Sequence, residues 1–230
     1  MYGMYGYGYG YGFDPTIWAQ GRVNSTFSRY SRVRSMTGMT GAEAARRLLN
    51  AQGIYDVTVQ QIAGELTDHY DPRTKTVNLS QSVYGATSVA AIGVAAHECG
   101  HAMQDNEGYA PLRFRSALVP VANFGSSLSW PLILLGLVFG GLGSPLVEIG
   151  ILMFSLAVLF QLVTLPVEYN ASARAVRLLD AQGILAGEEV NGTRKVLNAA
   201  ALTYVAAAAT SILQLLRLII LFGGRNRRDR

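Results

Sequence analysis

Apolar residues are spread unevenly along the chain, and the unevenness divides it. Beyond residue 116 three stretches run almost without charge: 117–142 (ALVPVANFGSSLSWPLILLGLVFGGL) has none, 144–167 has only Glu148 near its start, and 199–222 has only Arg217 near its end. Each reaches the roughly 20 residues that a helix needs to cross a bilayer. Glu148 and Arg217 lie close enough to the ends to reach an interface. Pro120 and Pro131 interrupt the first stretch and make it the weakest of the three. The pattern predicts a transmembrane hairpin over 117–167, a helical region over 168–198, and a C-terminal membrane helix with a basic tail over 199–230.

Upstream the spacing is that of a water-facing region, over 40–116. In MTGAEAARRLLNAQGIYDV, Thr40 is placed as an N-cap and Glu43 completes a capping box. Leu48 and Leu49 supply a buried face, and Gly53 a stop. RAVRLLDAQGI at 174–184 echoes AARRLLNAQGI at 44–54, with Gly183 as a second stop. The segment YDVTVQQIAGELTDHYDPRTKTVNLS is β-rich, with strands expected around Val57–Ile62, ELTDHY and TKTVNLS, and turn chemistry at DPRT. It predicts a small antiparallel sheet of two or three strands. SVAAIGVAAHECGHAMQ then predicts an uninterrupted helix, capped by Ser88 or Thr87, whose Ala and Gly residues suit close packing. In front of these lies a 1–39 region: a Tyr/Gly tail, expected to be disordered, and a basic segment whose helix around Ala19–Val33 suits a membrane surface.

Composition supports this division. Half of the 230 residues are hydrophobic (50%), and the formal charge is +4, with a mean hydropathy of +0.23. The basic residues are scattered and no nucleic-acid motif accompanies them, so nucleic acid is not an expected partner. Cys99 is the only cysteine, which excludes an intrachain disulfide and a cysteine-only metal site. No secretory signal is visible at the start.

The candidate chemistry lies in HECGH, residues 97–101. A helix turns about 100° per residue, so His97 and His101 lie about 40° apart on one face and can converge on one ion. Glu98 lies about 100° round from His97, beside the ion, where it can take a proton from a water activated there and pass it to a leaving amine. Cys99 faces away and suits packing. A catalytic zinc takes three protein ligands. The position six residues after His101 is Glu107, with Gln104 where that spacing pattern has glycine, a poor fit. A hairpin over 117–167 leaves Glu148 on the far side and returns the chain beside the HECGH helix at Glu168, the expected third ligand. Ser172, one turn on, can hold a ligand in place, and Asn170 less directly. The strand segment next to the motif helix suits edge pairing with a substrate backbone. His69 is then placed to stabilise an oxyanion or to serve as an alternative ligand.

HECGH together with LPVEYNASARA, and with GMTGAEAARRLL, LTDHYDPRTKTVNLS, YAPLRFRSALVPV and LNAAALTYVAAA, resembles the YugP-like family of bacterial membrane zinc metallopeptidases over about residues 20–222. More distantly the layout is similar to HtpX-type and CAAX-type membrane proteases. The resemblance implies a mostly α protein in which membrane helices join a zincin-like α+β region. It implies one zinc ion on His97, His101 and Glu168, with Glu98 as general base and acid, and proteolysis of a peptide or membrane-protein substrate. Family members usually carry an N-terminal membrane segment where DPTIWAQGRVNSTFSRY stands, so that anchor is expected to be missing. HtpX-type proteins have Asp at the position of Ser172. A multi-pass protein of the cell membrane is expected, with the lipid bilayer and a membrane partner protein as further contacts. Absence of a signal and Arg113, Arg115, Arg174, Arg177, Arg194 and Lys195 near the span ends favour a cytoplasmic active site, while the tail RNRRDR argues the other way. The competing function is a zinc-holding membrane adaptor without turnover, which has no need of Glu98.

Overall fold

The computed structural model describes residues 14–141 and 144–222, so the Tyr/Gly tail and the final basic residues lie outside the described part. Helix α1 (Pro15–Tyr30) begins earlier than the expected Ala19 because Asp14 accepts from Thr16 N at 2.8 Å and Pro15 occupies the first turn. Helix α2 (Gly41–Ala51) has the predicted capping box: Thr40 Oγ1 accepts from Glu43 N at 3.2 Å and Glu43 Oε2 accepts from Thr40 N at 2.8 Å. It ends in a Schellman motif, with Gly53 at φ 69° and Ile54 N donating to Leu49 O at 3.0 Å.

The sheet is mixed rather than antiparallel. Strands β1 (Thr58–Ile62), β2 (His69–Asp71) and β3 (Thr76–Ser80) take the order β1-β3-β2. β3 is antiparallel to β2, with His69 opposite Asn78, but parallel to β1, with Thr58 opposite Thr76. All five residues of β3 are buried, whereas β1 and β2 are partly exposed. The strand with both faces covered takes the centre, and a hairpin to β2 on one flank leaves β1 to pair with it in parallel on the other. TKTVNLS is therefore no sheet edge, and only β1 and β2 offer one.

After the short α3 (Gln81–Tyr84) comes α4 (Val89–Asn106), the buried axis of the fold. Ser88 caps it, its Oγ accepting from Ala91 N at 3.2 Å. The approach to it is held by Ser35 N donating to Thr87 O and Val89 N to Val33 O, both at 2.9 Å. Leu48, Leu49, Val77, Leu79 and Ile92 are almost wholly buried and fill the space between α2, the sheet and α4. Cys99 is buried there with its thiol toward Ala45 O at 3.6 Å, a packing residue as expected.

Helices α5 (Ala110–Gly140), α6 (Pro145–Ala181) and α7 (Glu188–Phe222) are each long and apolar enough to cross a membrane. Pro120, Pro131 and Pro166 all lie inside continuous helices, so the weakest stretch still forms one helix. Val138, Phe139, Leu213 and Ile220 are 74%, 81%, 66% and 77% exposed, an apolar surface suited to lipid and costly in water. The end of α6 repeats the end of α2: Gly183 has φ 60° and Ile184 N donates to Leu179 O at 2.9 Å. The echoed sequences are thus one helix-ending device used twice.

Helix α4 meets α6 at Gly100, where a Cβ would stand 2.6 Å from Ala171 O. A backbone carbonyl cannot step aside as a side chain can. Gly100→Ala should therefore lower stability by about 1–3 kcal/mol through overpacking, although alanine favours an isolated helix by about 1 kcal/mol. A melting temperature in detergent equal to or above that of the parent would refute this contact as a constraint.

Candidate metal centre

One turn of α4 and one turn of α6 supply the cluster. His97, His101 and Glu168 offer ligand atoms that all lie within 4.8 Å of one another. His97 Nε2 lies 3.2 Å and His101 Nε2 3.6 Å from the same oxygen, Glu168 Oε2. The two imidazoles stand at 83° with centroids 4.8 Å apart. Ligands about 2.0–2.2 Å from a tetrahedral ion stand about 3.3–3.6 Å apart; the two histidine–carboxylate separations are close to that spacing, and the cluster as a whole is somewhat wider. Two histidines and one carboxylate are also a donor set of catalytic zinc, with a fourth position left open. Glu168 is 3% exposed and His101 8%, so these polar atoms need partners in the interior.

The outer nitrogens are engaged in a way that turns both Nε2 atoms toward the cluster. His97 Nδ1 stands 3.1 Å from Ser172 Oγ, the contact expected one turn beyond Glu168. His101 Nδ1 stands 3.0 Å from Gln104 Oε1. Gln104 is fully buried, and its amide donates to Val167 O at 2.9 Å and Asn170 Oδ1 at 3.0 Å. Arg174 Nε donates to Asn170 Oδ1 at 2.7 Å. Asn170 therefore acts through Gln104 and touches no ligand of the cluster. In the sequence Gln104 stands where the longer spacing pattern has glycine, which says nothing of this role. Its place three residues after His101, on the same face, was the signal for what it does. Arg115 was also missed: its Nη1 lies 3.6 Å from Glu168 Oε1, the oxygen turned away from the histidines. Nothing in the sequence pairs these two residues, because only the α5–α6 hairpin brings them together. Glu107, the poor candidate, is bound to Arg174 at 2.6 Å.

Glu98 lies beside the cluster and is 8% exposed. Burial pushes its carboxyl up to about 7, against a lowering influence from His97. A carboxylate in that range exchanges protons readily near neutral pH. It lines a cleft of about 260 Å³ together with His97, Glu168 and Ser172. The walls are largely apolar, from Val23 and Phe27 on α1, Val94 on α4, and Val196 and Ala200 on α7. Asp68 closes one side, held by Ser80 N at 2.8 Å, and its carboxyl is raised by burial. His69 lies outside both the cluster and the cleft lining. Its Nδ1 meets Thr67 O at 2.9 Å and its Nε2 meets Asn78 Nδ2 at 3.2 Å, so both ring nitrogens are occupied. Asp68 lies just before β2 and His69 is its first residue, and successive residues of an extended chain point to opposite faces.

Residues 13–223 match a family described as "Putative neutral zinc metallopeptidase". The chain is 50% identical over 207 residues to "Putative membrane protease YugP" of Bacillus subtilis (strain 168), covering 90% of this chain and 91% of that protein. No solved structure matches the chain. The chain belongs to this zinc metallopeptidase family.

Gln104 supports His101 from a fully buried position, so Gln104→Ala should weaken zinc binding by about 10–100-fold. Asn170→Ala, one bond further out, should cost less. Competition with a chromophoric chelator measures both, and equal affinity of Gln104→Ala and the parent would reject the supporting role.

Proposed function

We propose that this protein is a membrane-bound zinc endopeptidase, with one zinc ion on His97, His101 and Glu168 and with Glu98 as the proton carrier. The observation that supports it most is the meeting of three ligand atoms beside the buried Glu98, which together with two of them lines an apolar-walled cleft. Zinc, when bound, acidifies a water and polarises the scissile carbonyl. Glu98 accepts the proton of the attacking water and delivers it to the leaving amine nitrogen, one carboxylate serving both steps. Ser172 and Gln104 fix the two imidazoles through Nδ1, and Arg115 holds the outer oxygen of Glu168. The free edge of β2 follows directly on Leu66 and Asp68, which line the cleft, and an extended substrate backbone can pair there. The walls favour an apolar side chain next to the cleaved bond.

The site of cleavage on this proposal is the bilayer surface. Glu168 sits just beyond the apolar stretch 144–167, on a helix that continues without a break to Ala181. The protein is then a multi-pass membrane protein whose cleft faces the cytoplasm, in keeping with Arg113, Arg174, Arg177 and Lys195 at that end of the spans.

Glu98→Gln should keep a full complement of zinc and lose about 10²–10⁴-fold in cleavage of an unstructured polypeptide. Glu168→Ala should lose the metal itself, seen by elemental analysis. Zinc-loaded parent protein without cleavage would instead favour the adaptor. Orientation is tested separately. Cys99 is buried, so Thr74→Cys in the exposed β2–β3 turn supplies a single reactive thiol. A membrane-impermeant maleimide should label it in inverted vesicles and not in intact cells, and the opposite pattern would reverse the topology.

A further inference from the structure

Helix α1 lies along α7, and its two flanks face two grooves. Gln20, Val23 and Phe27 face the metal cleft. Arg22, Thr26 and Arg29, about 130° round the helix, face a second and larger groove of about 680 Å³, completed by Lys195, Asn198 and Leu202 of α7 and Tyr169 of α6. Every charged residue in its lining is a cation: Arg22, Arg29 and Lys195. None of the three pairs with a carboxylate among the described residues. The two arginines are instead stacked on aromatic rings, Arg22 at 5.9 Å from Trp18 and Arg29 at 5.6 Å from Tyr30. Three like charges around one groove repel one another, and an anion lodged between them removes that cost.

The level of the groove indicates which anion. Tyr169 lies just beyond the apolar stretch 144–167 of α6, and Lys195 lies just before the apolar stretch 199–222 of α7. Both positions, at the ends of the apolar stretches, therefore put the groove at headgroup depth, where tyrosine and lysine are favoured. Its floor, Ala199 and Leu202, runs on into the exposed apolar surface of α7 at Val205 and Leu213. On α1, Ile17 and Trp18 are 72% and 46% exposed, an apolar pair suited to the same interface. A ligand with an anionic head and an apolar tail satisfies both parts of this surface. An acidic peptide or a free phosphate leaves the apolar floor unused.

We propose that the α1–α6–α7 groove binds the phosphodiester headgroup of an anionic phospholipid, held by Arg22, Arg29 and Lys195, with its acyl chains along α7. The site lies apart from the metal cleft and does not depend on the protein's being a protease.

The test uses the full chain in detergent, with phosphatidylglycerol and phosphatidylcholine offered at equal concentration and retention read by native mass spectrometry. The expected result is preferential retention of phosphatidylglycerol. Arg29→Gln/Lys195→Gln should lower its affinity on the order of 25-fold, about fivefold per cation. The charge-matched control Arg73→Gln/Arg177→Gln, at exposed positions outside the groove, should leave the preference intact. Equal loss in both double variants would overturn the proposal, since general surface charge would then suffice. So would competition by inorganic phosphate as effective as that by phosphatidylglycerol, or retention of an acidic peptide in place of lipid by the parent alone. Unchanged melting temperatures confirm that both variants are folded.

Discussion

The contact on which the site depends is the approach of two backbones. At Gly100 helix α4 has no Cβ, and the carbonyl of Ala171 on α6 occupies the space that one would need. That approach places Glu168 within hydrogen-bonding distance of His97, three residues before the glycine, and near His101, one residue after it. A wider spacing would leave the buried His101 and Glu168 and the half-buried His97 facing a gap. Burial without partners costs about 1–3 kcal/mol for each such group, so close packing and the polar cluster support one another. The same helix lies close to α7 at Gly93, where a Cβ would stand 2.8 Å from Thr193 Cγ2. The small residues of α4 therefore set the distances to both helices that wall the cleft.

The long helices then fix where this cluster lies. α6 runs from Pro145 to Ala181 without interruption, at about 1.5 Å per residue, some 55 Å in all. That exceeds a hydrocarbon core of about 30 Å, so on the proposed membrane placement the helix projects and Glu168 rides on its projecting part. A carboxylate carried on a rigid helix keeps its height relative to the span. The cleft and the basic groove, on either flank of α1, thereby share one level, and a single amphipathic helix separates an apolar-walled site from a cationic one.

The supporting residues around the cluster show two degrees of legibility. Ser172 follows Glu168 by one helical turn, so local periodicity is enough to place it beside a ligand. Gln104 is as close to His101 in periodicity, but its amide is useful only because Val167 and Asn170 of α6 accept from it, and those partners lie more than 60 residues away. Arg115 and Asp68 come from other elements, a helix 53 residues before Glu168 and a loop 30 residues before Glu98. Their approach depends on how the hairpin and the sheet fold back, which no local spacing encodes. His69 illustrates the reverse error: adjacent in sequence to a residue of the cleft, it points outward because successive residues in an extended chain point to opposite faces.

What the sequence by itself determined is whatever depends on period and local chemistry. The capping box at Thr40, the glycine stops at 53 and 183, the three apolar stretches, and the shared face of His97 and His101 are all fixed by residues within a turn or two of one another. The approach of Glu168 to the two histidines was reachable as well, because a hairpin of two long apolar helices returns the chain to the end from which it started. Only the tertiary structure decided the order of the strands, since β3 takes the centre by being the one strand covered on both faces. It alone decided that Gln104, Arg115 and Asp68 surround the cluster, and that Arg22, Arg29 and Lys195 converge on one groove. Those arrangements rest on packing between elements distant in the chain, where the energy of each contact exists only after the helices have met.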